Sequence, residues 1–164
     1  MSTVKSTQTV HASVLDRLLD DDPGSPHDDS ATLYDVRALK QSVARDLEAL
    51  LNTRTAEFDK ALARYPLARN SILGYGVSDL SSISLLNPDD RARLRAELTR
   101  AIEQFEPRLK RVSVGLEEPR ELERMLRFRV DAVLSTHPSR PPVSFDATLQ
   151  LSTKVYRVKD LLNA

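Results

Sequence analysis

Phe105-Glu106-Pro107-Arg108-Leu109, FEPRL, sits where one hydrophobic period gives way to another. Upstream, Leu94, Leu98, Ala101, Ile102 and Phe105 recur at three- and four-residue intervals, the buried stripe of a helix. Downstream, Val112, Val114 and Leu116 alternate with Arg111, Ser113 and Gly115, the pattern of a half-buried strand. Pro107 lacks a backbone donor and pushes Glu106 out of helical geometry, so the helix must stop there. A carboxylate at that negative helix end is unfavourable by about 0.3 to 1 kcal/mol, so local stability does not select it. In an extended chain Glu106 and Arg108 point to the same side, and the expectation is a rigid corner that displays an acid and a base outward. The alternative is that the two tie the helix to the sheet through internal ion pairs. Glu118-Pro119-Arg120 repeats the tripeptide in a polar turn without apolar flanks and reads as coincidence.

The periods continue in both directions. Beyond a turn over 117–121, Leu126, Phe128, Val130, Ala132 and Leu134 alternate with polar residues. After a proline-rich loop over 136–142, Val143, Phe145, Ala147 and Leu149 give a third strand, and 155–158 a short fourth. Toward the N-terminus, Asn87-Pro88-Asp89-Asp90 reads as a cap, a first-position proline and acids at the positive dipole end. The helix it opens should be about 25 Å long. Val36, Leu39, Val43, Leu47, Leu50 and Leu51 mark another core helix, capped by Asp35. Residues 56–64 suggest a shorter helix stopped before Pro66, and Gly74-Tyr75-Gly76 a backbone needing positive φ or close approach. The fold class is α+β, with N-terminal helices packed on a small, mainly antiparallel sheet of three or four strands in the C-terminal half.

Residues 1–33 are rich in Ser, Thr and Asp, contain Pro23-Gly24-Ser25-Pro26, and read as a flexible segment. Within it, residues 13–20 form an amphipathic island with Ser13 as cap and Val14, Leu15, Leu18 and Leu19 on one face. Helices shorter than about 12 residues are marginal alone, so this one needs a surface, either its own domain or a partner. Residues 34–158 form the single domain and 159–164 a tail.

Composition narrows the function. Lys+Arg and Asp+Glu both number 24, so no net field draws the chain to nucleic acid or an anionic membrane. There is no cysteine, His11, His27 and His137 lack ligand spacing, and no apolar run reaches bilayer length. The expectation is a cytoplasmic protein without cofactor, metal or direct membrane insertion.

Five blocks carry a family resemblance: RDLEALLNTR (45–54), SILGYGVSDL (71–80), FEPRL (105–109), LRFRVDAVL (126–134) and VSFDATL (143–149). Together they resemble the small baseplate subunits of bacterial type VI secretion systems, within the gene-25-type baseplate wedge family of contractile phage tails. SVLDRLLDDDP (13–23) resembles the N-terminal segment typical of the secretion-system branch, so the match runs from about Ser13 to Thr148, and Gly74 departs from it where the family commonly has Asn. The resemblance implies a non-enzymatic wedge component that joins other wedge subunits and helps initiate or anchor the contractile sheath. It gives Glu106, Pro107 and Arg108 as the family's hallmark, implicated in assembly. The residues expected to meet partners are therefore Glu106, Pro107 and Arg108, the island face Val14, Leu15, Leu18 and Leu19, and Arg127 and Arg129 on the polar sheet face. Short, exposed last strands would offer unpaired backbone to sheath segments.

Two other functions compete on these residues. Glycoside hydrolysis would use Glu106 as acid with Asp131 or Asp146 as partner. Arg108 would lower the pKa of Glu106, the wrong direction for a general acid, and the chain has no Trp to stack sugars. Nucleic-acid binding through Arg124, Arg127, Phe128 and Arg129 fails on alternation, because Phe128 faces the core when the arginines face out.

Overall fold

The computed structural model describes residues 9–11, 13–19, 33–55, 64–79, 83–118, 125–135 and 140–160. The readings of a linker at 23–26, a helix over 56–64, most of the turn at 117–121, the tripeptide at 118–120, Arg124, and the loop at 136–139 fall wholly or largely outside these residues. So do His27, His137 and the side chains of His11 and Asp35.

The first elements are a strand β1 (Thr9–His11), a short helix α1 (Val14–Leu18) and a strand β2 (Leu33–Asp35) that runs directly into helix α2 (Val36–Asn52). β1 and β2 pair antiparallel, a ribbon that alternation over so few residues did not announce. A single helical turn (Pro66–Arg69) and a 3-10 turn (Ile72–Gly74) lead to helix α3 (Pro88–Phe105). Asn87 caps α3 through its side chain and Pro88 stands at its first position, as the sequence requires.

The C-terminal half is one antiparallel sheet of β3 (Leu109–Leu116), β4 (Met125–Leu134), β5 (Pro142–Gln150) and β6 (Val155–Asp160), in sequence order. One face is apolar throughout: Val114, Phe128, Val130, Phe145, Ala147 and Tyr156 are buried against the stripes of α2 and α3. The chain is therefore α+β, with helices on one face of the sheet and the other face open. Leu109 and Val112 are both buried although three residues apart, an odd separation that a period of two does not allow. The strand accommodates them with a bulge between Lys110 and Ser113, where Arg111 takes φ 54°. β6 continues to Asp160, two residues past the short fourth strand expected over 155–158.

The two glycines around Tyr75 serve different needs. Gly76 has φ +112°, and a Cβ there would lie 2.5 Å from the Thr53 carbonyl oxygen. Gly74 has no positive φ, but its Cβ would lie 2.0 Å from the Arg69 carbonyl oxygen, so close approach is what requires glycine there, not a left-handed turn. Hydrogen bonds from Val77 N to Thr53 O and from Thr55 N to Val77 O then pin this segment to the end of α2.

The two sheet edges differ. At β6, the Asn52 amide donates to Tyr156 O at 3.0 Å and accepts from Tyr156 N at 2.9 Å. Glu48 accepts from Val158 N at 2.9 Å. Side chains of α2 thus occupy the positions a further strand would take, closing that edge. At β3, Glu117 N donates to Arg127 O, which sets the ladder so that the backbone groups of Val114 and Leu116 point away from β4.

Candidate functional site at the helix-to-strand corner

The corner is a turn, not an extended segment. Leu109 N donates to Glu106 O at 3.1 Å, placing Pro107 at the second turn position, where its fixed φ fits, while Arg108 O accepts from Ser135 N. This reversal folds the two ionic side chains back over α2 instead of displaying them. Glu106 is 4% exposed and Pro107 alone of the tripeptide is fully at the surface. The expected outward display is corrected accordingly: the acid and the base face inward and meet each other.

Arg108 is the hub. Its Nε donates to Glu106 Oε1 at 2.6 Å and its Nη2 to Glu106 Oε2, a two-point pairing. The same guanidinium reaches α2, donating to Asp46 Oδ2 at 2.6 Å and to Ser42 Oγ at 3.1 Å. Ser42 and Asp46 lie four apart and therefore on one helix face. Burial pulls the Arg108 pKa down, but Glu106 and Asp46 outweigh it, and the net shift is upward. Tyr75, stacked edge-on against Phe105 at 5.3 Å, has its phenol pKa raised by burial and by the carboxylates of Asp46 and Glu106.

From α2 the network continues to α1. Arg45 donates to Asp46 Oδ1 at 2.9 Å and to Asp16 Oδ1 at 2.7 Å. Ser42 Oγ donates to Asp16, with its two carboxylate oxygens at 2.7 and 2.8 Å. Ser13 caps α1 by accepting from Asp16 N, and Asp16 accepts in return from Ser13 N and Oγ. Burial raises the Asp16 pKa, but the bonds from Ser13, Ser42 and Arg45 prevail and bring it to about 2. Arg108, Asp46, Arg45, Asp16 and Ser42 thus close a ring of side chains, with Glu106 attached at Arg108.

The helix expected over 13–20 is five residues long and docks by its polar side. Val14, Leu15, Leu18 and Leu19 face solvent, 76%, 49%, 74% and 51% exposed. Arg127 and Arg129 are exposed on the open sheet face, away from the corner, and Arg129 pairs with Asp146 at 3.0 Å. Asp131, bonded by Ser144, shares that face, so neither proposed carboxylate partner lies on the side to which Glu106 turns. Phe128 is buried beneath the arginines, as alternation requires.

The sequence reading gives Asp16, Ser42, Arg45 and Asp46 no site role, although each carries a signal: Ser13-x-x-Asp16 has capping-box spacing, Ser42 interrupts an otherwise apolar stripe of α2, and Arg45-Asp46 opens the block RDLEALLNTR.

These features define a small α+β domain with a closed, ion-paired corner and an apolar helix face turned outward. The chain belongs to the family of baseplate wedge proteins: the family model described as baseplate wedge protein gp25 matches residues 37–139. Among solved structures, a chain of "The baseplate complex from the type VI secretion system" is similar, at 19% identity over 67% of this chain and 93% of that one, with a TM-score of 0.46. A comparison with curated proteins gives no match.

Proposed function

We propose that this protein is a non-enzymatic subunit of a type VI secretion baseplate, joined to other wedge subunits through α1. The observation that carries this reading is the pose of α1: Asp16 is buried while Val14, Leu15 and Leu18 of the same short helix, with its C-cap Leu19, face solvent. Such a face is costly to leave in water, at about 25 cal/mol per Å², and suits a helix that completes a neighbour's apolar surface. The open sheet face, with Arg127 and Arg129, provides rim contacts that steer partners. The site of action is cytoplasmic, where a baseplate meets the inner membrane without crossing it. No helix among the described residues is long and apolar enough to span a bilayer.

Sheath anchoring fits β3 and not the last strand. Asn52 and Glu48 already occupy the edge of β6, whereas Val114 and Leu116 on β3 turn their backbone groups outward. A sheath segment would pair there as an added strand. A hydrolase reading is disfavoured because Glu106 and its neighbouring carboxylate Asp46 are both committed to Arg108, whose guanidinium fills the space between them where a sugar would have to sit.

The reading is tested by affinity for adjacent wedge subunits. Leu15→Glu/Leu18→Glu is expected to weaken binding at least tenfold with an unchanged melting temperature. Equal affinity would remove α1 from the interface.

A further inference from the structure

We infer that the Glu106-Pro107-Arg108 corner is the seat of α1, and that it acts on assembly by holding the apolar face of that helix outward. The inference rests on the reading of α1 as wedge-binding. It assigns Arg108 a positioning role, exerted through Ser42, Asp46, Arg45 and Asp16.

Helix α1 has five residues, too few to persist by its own hydrogen bonds. Its aliphatic residues are exposed, so burial of that face is not what docks it. The β1–β2 ribbon leads the chain back to the start of α2, yet it leaves the rotation of α1 about its own axis unset. Asp16 sets that rotation. It is buried against Ser42 and Arg45 of α2, and helical spacing then directs Val14, Leu15, Leu18 and Leu19 away from the domain.

Both groups that α2 offers to Asp16 are oriented by Arg108. The Ser42 hydroxyl has one proton; because its oxygen accepts from Arg108 Nη1 at 3.1 Å, and at 3.4 Å from Arg45 Nη2, that proton is directed to Asp16. Asp46 accepts from Arg108 on one oxygen and from Arg45 on the other, which holds the Arg45 guanidinium where it reaches Asp16. Glu106 fixes Arg108 in turn through two points. A lysine in place of Arg108 keeps the charge beside Glu106 and Asp46 but has no planar fork to serve Glu106, Ser42 and Asp46 together.

The test is amide hydrogen exchange on the full chain, without partners, so that its outcome does not depend on whether α1 binds a wedge subunit. Arg108→Lys is expected to speed exchange over residues 13–19 at least tenfold while β4 and β5 keep their protection. Asp16→Asn should match it, and the double variant should add nothing further. Glu106→Gln, which loosens Arg108 without removing any partner of Asp16, should speed exchange over 13–19 in the same direction and decides the matter if Arg108→Lys does not fold. Unchanged exchange over 13–19 in Arg108→Lys and Glu106→Gln overturns the proposal. So does loss of wedge binding in Arg108→Lys with α1 still protected, which would make the corner itself the contact.

Discussion

Arg108 bonds Asp46 at 2.6 Å across 62 residues of chain, joining the turn after α3 to the middle of α2. With Glu106 4% exposed on its other side, the guanidinium bridges two carboxylates that would otherwise face each other in a desolvated corner, and Arg45 supplies the second positive charge at Asp46. Arg108→Ala is expected to cost about 3 kcal/mol, because it leaves a buried carboxylate without its partner. Glu106→Gln, which keeps shape and one acceptor, should cost roughly 1 kcal/mol. Chemical denaturation of both variants checks the order; equal losses would mean that Glu106 does not depend on Arg108.

Acid should release α1 before it unfolds the domain. Asp16 has a folded pKa of about 2, below its ordinary 3.8, so its contribution is present above the ordinary value and lost as pH falls through the folded one. The contribution is roughly 2 kcal/mol. Protection of residues 13–19 is therefore expected to hold from neutral pH to about 4 and to fall between about 4 and 2. Asp16→Asn should show no such step.

Glycine positions separate cleanly by geometry. Gly76→Ala forces a side chain into φ +112° and against the Thr53 carbonyl, and Gly74→Asn places its Cβ on the Arg69 carbonyl. Each should cost at least about 2 kcal/mol by thermal unfolding. Gly115→Ala, with nothing within 4 Å of the new carbon, should be neutral or stabilise by up to about 1 kcal/mol.

Asn52 guards an edge. Asn52→Ala frees Tyr156 N and O on β6 and should cost about 1 to 2 kcal/mol. It should also promote edge-to-edge association, visible as dimer in sedimentation at concentrations where the parent chain is monomeric. A variant no more self-associating than its parent would show that the edge is protected by other means.

Much of this architecture was legible because it rests on short-range rules. Asn87-Pro88 opens α3 and Pro107 closes it within the expected residues, and alternation from Leu126 to Leu134 and from Val143 to Leu149 marks the two central strands. What escaped depends on contacts far apart in sequence. Nothing local in Asp16 indicates that Arg45, 29 residues later, will bury it. The orientation of the corner was misread because two-apart residues share a side only in extended chain, and the hydrogen bond from Leu109 to Glu106 makes the segment a turn. The β1–β2 ribbon escaped for a different reason: three residues per strand are too few to establish a period.

Residue-specific photo-crosslinking from position 18 in the assembled baseplate addresses the central claim most directly. The expected product joins this chain to another baseplate subunit, and it should diminish when Arg108→Lys or Asp16→Asn is introduced. A probe at position 18 that reacts only with this chain's own domain, in a fully assembled baseplate, would contradict the outward pose of α1 and the role built on it.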